Sequence, residues 1–180
     1  ELDLPHQVVE RPLVEWVMDR DYRKVNPSGR LPYVIDRGQP RTESLALMQT
    51  LIESRQPDSP LWRPPGHPER AELLQWMQYS ETVQTHIQNL NQQLTFIRPP
   101  EARSAATVKL EVVRLGRALD VVEHALATQE FLLPGGFSAA DIAMGYVVAV
   151  SQVFRPLEGQ PRLQEYVRRL QARPAAADLL

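Results

Sequence analysis

The residues best suited to bind a ligand lie in the run from Asn26 to Pro32 (Asn-Pro-Ser-Gly-Arg-Leu-Pro), which Glu43 and Ser44 follow eleven residues later. Pro32 cannot donate to a strand ladder, so the main chain around Leu31 can pair with an extended, peptide-like ligand. The trans preference of X-Pro bonds is small, and we predict a cis Leu31–Pro32 bond. Glu43 and Ser44 open a helix, where a carboxylate, a hydroxyl and helix-start amides together suit the head group of an α-amino acid. Either feature alone is better explained as an ordinary turn or cap; their combined spacing indicates a site.

Short, mixed elements must position these residues, so residues 1–55 are predicted to be α+β. The segments Gln7–Val9 and Tyr33–Ile35 are strand-like, and Leu13–Arg20 is weakly helical. Asp36–Gly38 predicts a hairpin turn, and an apolar stripe over residues 45–52 predicts a helix directly after the hairpin. The hairpin therefore separates the two halves of the candidate site.

A linker and a helical domain follow. Residues 56–68 contain five prolines and one glycine, which is incompatible with a regular element. Residues 69–180 are then predicted to be all-helical, with helices at roughly Glu69–Leu94, Glu101–Ala127, Ser138–Val153 and Arg162–Ala172. The first two are expected to form an antiparallel pair.

A capping box is predicted at Ser138, where Asp141 occupies the third helical position and can accept from the Ser138 amide. Phe137 and Ile142 are placed to form the accompanying hydrophobic staple. The role of this motif is structural, and replacing Asp141 with Ala is expected to cost about 1 kcal/mol or more.

One face of the first long helix carries Trp76, Tyr79, Val83, His86 and Leu90 at spacings of three and four. Packing is the expected role of most of this face, and Trp76 is predicted to be a core residue. The spacing of the other histidines does not suggest a metal site, and we predict none.

Composition narrows the possible partners. The net charge is −2 and the basic residues are scattered, which argues against nucleic acid and an anionic membrane as partners. There is no cysteine, and no apolar run approaches the roughly 18 residues of a membrane span. We expect a cytoplasmic protein that binds a small molecule or another protein.

These motifs closely resemble the cytosolic glutathione transferases, including the bacterial type. That family has an Asn-Pro-x-Gly-Lys/Arg-x-Pro run, a short hairpin and a Glu/Asp-Ser pair in a thioredoxin-like domain. Its helical domain has a signature similar to the Phe-Ser-Ala-Ala-Asp-Ile at 137–142. The resemblance also covers Leu2–Glu10, similar to the end of the family's first helix and its second strand. It implies an incomplete thioredoxin-like domain, lacking the first strand and most of the first helix, followed by the all-α C-terminal domain.

The resemblance also implies roles for the candidate residues. Arg30 would meet a carboxylate of glutathione, Leu31 before Pro32 would pair with its cysteinyl main chain, and Glu43 with Ser44 would hold its γ-glutamyl end.

The implied reaction joins the glutathione thiol, as co-substrate, to small hydrophobic electrophiles. Tyr79, Val83 and His86 would then line the site for the electrophile. The residue that stabilises the thiolate, a Tyr, Ser or Cys, is expected before Glu1, and the family implies a homodimer.

Two alternative functions are consistent with all of these motifs. One is a non-catalytic ligand-binding or interaction protein with the same fold. The other is a glutathione-dependent reductase, isomerase or dehalogenase of the same superfamily.

Overall fold

The computed structural model describes residues 1–10, 12, 15 and 19–176. The chain divides into two compact units, Glu1–Pro57 and Asp58–Leu180. The division falls within the proline-rich segment 56–68, and buried apolar side chains lie on both sides of it.

Two helices and a hairpin form the regular structure described in the first unit: α1 Arg20–Val25, β1 Val34–Asp36, β2 Gln39–Arg41 and α2 Ser44–Arg55. Helix α1 begins where the Asp19 carboxylate accepts from the Tyr22 amide at 3.0 Å. The strands are antiparallel, with Val34 opposite Arg41. Arg37 and Gly38 both have positive φ, 51° and 77°, as a two-residue hairpin turn of type I′ requires.

Asp36 ties this hairpin to the end of α2. Its carboxylate forms an ion pair with Arg55 and lies 3.6 Å from Arg41 Nε. Leu47 and Ile52 are the buried residues of α2. The hairpin is therefore fixed at its turn end, and its open end leads to the candidate binding residues.

The predicted strand at Gln7–Val9 is wrong. Residues 1–10 contain neither helix nor strand, so the helix end implied by the resemblance is absent there too. Val8 and Val9 are 64% and 61% exposed. The sheet found in the described residues contains only β1 and β2, and a strand forms only against a neighbour that satisfies its main-chain groups. The predicted helix at Leu13–Arg20 lies largely outside the described residues.

The second unit is helical: α3 Arg70–Asn91, α4 Ala105–Ala125, α5 Ala139–Ser151 and α6 Pro161–Gln171. A π-helical turn at Gln92–Phe96 and 3-10 turns at Pro100–Ala102 and Pro174–Ala176 complete it. Helix α4 begins four residues later than predicted, because the Ser104 hydroxyl accepts from the Thr107 amide at 3.2 Å and caps the helix there. Nowhere in the described ranges is a helix both long and apolar enough to cross a membrane.

Helices α3 and α4 form the expected antiparallel pair. Tyr79 on α3 contacts Ala118, and His86, further along α3, contacts Glu111, so residue numbers fall on α4 as they rise on α3. Helix α3 also packs against α5, and α5 packs against α6. The largest fully buried side chains of this core are Leu73, Met77, Val83, Leu90, Leu115, Leu119, Leu132, Leu133, Met144, Leu163 and Tyr166.

Candidate functional site

Two buried polar side chains hold the loop between α1 and β1. Tyr22 is 5% exposed and Asn26 is 4% exposed. The Tyr22 hydroxyl donates to the Arg30 carbonyl at 2.6 Å, and Asn26 Nδ2 donates to the same carbonyl at 2.7 Å and to the Tyr22 hydroxyl at 2.9 Å. Ser28 Oγ donates to Asn26 Oδ1 at 2.7 Å, which fixes the orientation of the Asn26 amide. A buried hydrogen-bond network therefore anchors the loop.

The residues at the end of this anchored loop are exposed: Arg30, Leu31 and Pro32, with Leu31 52% exposed. The Leu31–Pro32 peptide is cis, which confirms the prediction. A cationic side chain and a stretch of main chain outside regular structure are thus presented at the surface of the first unit.

The hairpin brings the two halves of the candidate site to the same end. Val34 pairs with Arg41 at its open end; Pro32 lies two residues before Val34 and Glu43 two residues after Arg41. Glu43 is the N-cap residue of α2 and has a φ of +66°, a left-handed conformation uncommon for a residue with a side chain. Such positions concentrate at functional sites.

Ser44 is the first residue of α2, and both Glu43 and Ser44 are exposed. The first amides of a helix have no partner within the helix and lie at the positive end of its dipole. A hydroxyl, these amides and a carboxylate therefore lie at one exposed point. This combination can hold a group that carries both a carboxylate and an ammonium.

The predicted second-substrate residues on α3 differ in their surroundings. Val83 has no exposed surface, so it is a core residue and cannot contact a bound molecule in this structure. Trp76, 7% exposed, is also core, as expected. Tyr79 is half-buried, donates to the Ala118 carbonyl at 3.3 Å and packs edge-on against Trp76. Burial raises the pKa of Tyr79 above its ordinary value, so it remains a phenol.

His86 is half-buried and lies against an acidic residue that the sequence analysis did not identify. Its Nδ1 is 2.7 Å from Glu111 Oε2, and Arg114 donates to Glu111 Oε1 at 2.8 Å. Burial raises the pKa of Glu111, but hydrogen bonds from His86, Arg114 and Asn89 together lower it by more, so the pKa lies below its ordinary value. Glu111 is 3% exposed and is held as a carboxylate between α3 and α4. No pattern in the sequence marked it as buried.

The capping box is present at the start of α5. Asp141 Oδ2 accepts from the Ser138 amide at 2.9 Å and from the Ser138 hydroxyl at 3.0 Å. Its Oδ1 accepts from the Leu132 amide at 2.9 Å and the Tyr166 hydroxyl at 3.0 Å. Burial raises the pKa of Asp141 above its ordinary value even though these bonds oppose the shift. One carboxyl group thus joins the preceding loop, α5 and α6.

A second ion pair in the helical unit was also missed. Arg63, 5% exposed, donates from Nε to Glu69 Oε2 at 2.7 Å, and Glu69 accepts from the Gly135 amide at 2.7 Å. The Arg63 hydrogen bond lowers the pKa of Glu69 below its ordinary value. These residues anchor the loop before α5 and do not form a metal site. Over the described part of the chain, no group of three His, Cys, Asp or Glu side chains is arranged to hold a metal ion.

Two protein-family models match the chain. The glutathione S-transferase N-terminal domain matches residues 1–60, and the glutathione S-transferase C-terminal domain matches residues 88–174. A solved glutathione transferase from Methylococcus capsulatus is 31% identical, with a TM-score of 0.73; the match covers 87% of this chain and 75% of that one. The chain belongs to the glutathione transferase superfamily.

Two further relatives match almost the whole chain. The glutathione S-transferase-like protein tpcF of Aspergillus fumigatus is 29% identical over 190 residues, covering 97% of this chain and 83% of the relative. The glutathione transferase URE2P6 of Phanerochaete chrysosporium, solved in complex with oxidized glutathione, has a TM-score of 0.85 at 24% identity and covers 98% of this chain and 83% of that one. This likeness shows that the fold is that of the superfamily, with a thioredoxin-like part followed by a helical domain.

Proposed function

We propose that this protein is a glutathione transferase that joins the glutathione thiol to small hydrophobic electrophiles. The observation that carries the proposal is the hairpin register, which places exposed Leu31–Pro32 just before its open end and exposed Glu43–Ser44 just after it. These segments offer the groups that a short peptide with an amino-acid head requires.

Each charged group of glutathione, and its cysteinyl main chain, would have a chemically matched partner in this site. The Leu31 main chain would pair with the cysteinyl residue, since two extended segments exchange main-chain hydrogen bonds. Glu43 would bind the γ-glutamyl ammonium, and Ser44 with the first amides of α2 would bind its carboxylate. The exposed guanidinium of Arg30 would meet the remaining carboxylate.

Arg30, Leu31, Pro32, Glu43 and Ser44 form the proposed recognition site for the tripeptide, and the thiol chemistry is assigned from family membership. Conjugation then requires that the thiolate and the electrophile be held together, which raises their effective concentration. Tyr79 and His86, which are half-buried, remain the proposed contacts for the electrophile, and Val83 is left out. Homodimerisation stays a prediction from the resemblance, and a cytoplasmic location stays a prediction from the sequence.

The test measures binding and turnover separately. The wild-type protein should be retained on immobilised glutathione, bind free glutathione in calorimetry and turn over a chromogenic aryl halide. Arg30→Ala should weaken glutathione binding about tenfold, because it removes a charge-assisted hydrogen bond. Arg117→Ala, on an exposed part of α4, is the matched control and should leave binding unchanged.

The outcomes separate the candidate functions. A wild-type protein that does not bind glutathione would refute the proposal. Binding without turnover of any electrophile would refute the transferase reaction and favour the ligand-binding alternative. Reduction or dehalogenation in place of conjugation would favour the other glutathione-dependent reactions of the superfamily.

A further inference from the structure

We infer that Tyr22 and Asn26 are positioning residues, which orient the Leu31 amide for the main chain of the bound tripeptide. The inference rests on the proposed glutathione site and assigns a supporting role to two buried side chains beneath it. Both side chains are almost fully buried, so neither is expected to touch the ligand directly.

The first step is the double anchoring of one carbonyl oxygen. The Arg30 carbonyl accepts from Tyr22 Oη at 2.6 Å and from Asn26 Nδ2 at 2.7 Å. A carbonyl oxygen has two lone pairs, and here both are used by buried donors. The Arg30 carbonyl is thus held toward the interior of the first unit.

The second step follows from the planarity of the peptide group. The Arg30–Leu31 peptide is trans, so its carbonyl and its N–H lie in one plane and point in opposite directions. Because the carbonyl of Arg30 is held inward, the N–H of Leu31 is directed away from Tyr22 and Asn26. Leu31 is 52% exposed, so this donor lies on the side from which a ligand would approach.

The third step is the rigidity of the anchor itself. Asn26 is the C-cap of α1, and its own amide donates to the Tyr22 carbonyl at 2.8 Å. Ser28 Oγ holds the oxygen of the Asn26 side chain, which directs the amide nitrogen toward Arg30. Tyr22 also packs edge-on against Tyr33, with ring centroids 5.9 Å apart. The Leu31 donor is therefore oriented before the ligand arrives, which reduces the entropy lost on binding.

The test is a hydroxyl deletion that keeps the ring. Tyr22→Phe removes the bond to the Arg30 carbonyl and the acceptor of one Asn26 bond while keeping the aromatic packing. Its glutathione dissociation constant in calorimetry should rise roughly fivefold to tenfold. Steady-state kinetics should show a higher KM for glutathione, with kcat and the KM for the electrophile unchanged. Tyr146→Phe, a hydroxyl deletion at a 54% exposed position on α5, is the matched control and should bind as wild type does.

A second variant keeps the test decisive if Tyr22→Phe does not fold. Ser28 is exposed, and Ser28→Ala removes the bond that orients the Asn26 amide, so a rise of about twofold to threefold in the dissociation constant is expected. Wild-type affinity in every folded variant would overturn the inference and leave the proposed function standing. A wild-type protein without glutathione binding would overturn both, and a fall in kcat at unchanged KM would overturn the positioning role.

Discussion

Replacing Asp141 with Ala should destabilise the protein by more than the loss of an ordinary helix cap. The change removes the acceptor of four hydrogen bonds, from the Leu132 amide, the Ser138 amide and hydroxyl, and the Tyr166 hydroxyl. Tyr166 keeps a longer contact of 3.4 Å to the Asp141 carbonyl, and the Ser138 hydroxyl can rotate. The amides of Leu132 and Ser138 are fully buried and would lose their partner.

The magnitude follows from these two amides. A buried donor left without a partner costs about 1–3 kcal/mol, so two of them cost about 2–6 kcal/mol. Removing a buried carboxyl group, whose pKa is raised by desolvation, offsets part of this loss. We therefore expect the free energy of unfolding to fall by about 2–4 kcal/mol, above the 1 kcal/mol typical of a lost cap.

Urea unfolding of the whole chain, followed by far-ultraviolet circular dichroism and by tryptophan fluorescence, measures this change. Trp62 and Trp76 are buried in the helical unit. The third tryptophan, Trp16, belongs to the first unit, so a Trp16→Phe background is used and fluorescence then reports on the unit that contains Asp141. Asp58→Ala removes an exposed carboxylate from the same unit and should change stability by less than about 0.5 kcal/mol. A loss below about 1 kcal/mol in Asp141→Ala would show that other groups or water satisfy the two amides, and would refute the reasoning.

Three further predictions concern other contacts. The pKa of Glu111 is lowered in the folded state, so the stability that its carboxylate contributes should be present above its unfolded pKa near 4.5 and lost as the pH falls through the folded value. The difference in unfolding free energy between wild type and Glu111→Gln should therefore shrink in acid, and a difference that stays constant with pH would contradict this. Gly145→Ala places a Cβ against Leu170 Cδ1, which is buried. Overpacking of about 1–3 kcal/mol outweighs a helix-propensity gain of about 1 kcal/mol, so urea unfolding should show a loss of up to about 2 kcal/mol rather than a gain. Asp36→Asn weakens the ion pair with Arg55 that ties the hairpin to α2, and limited proteolysis should cut the first unit faster than in wild type; an equal rate would show that the pair does not hold the hairpin.

The features that could be predicted from sequence are those decided by neighbouring residues. The turn at Arg37 and Gly38 and the cap at Ser138 depend on residues within three or four positions, and local chemistry selects one geometry there. The start of α4 was placed too early because Glu101 fits a helix, whereas Ser104 supplies the cap that begins it.

The features that could not be predicted depend on distant partners. A strand at Gln7–Val9 needs a neighbouring strand, which apolar alternation cannot supply. Sequence alone suggests that Glu111 is a surface residue, because its burial depends on partners on another helix, such as His86, 25 positions away. The Tyr22 hydroxyl was missed because its target is a main-chain carbonyl, which carries no signature in the sequence.

The left-handed backbone of Glu43 has a consequence for how this position can change. Glycine adopts a φ of +66° without steric penalty, so Glu43→Gly would relieve strain of the order of 1 kcal/mol or more. The same change would delete the carboxylate proposed to bind the ligand's ammonium. Backbone strain and ligand binding therefore place opposite demands on position 43: glycine suits its conformation, and glutamate suits the proposed ligand.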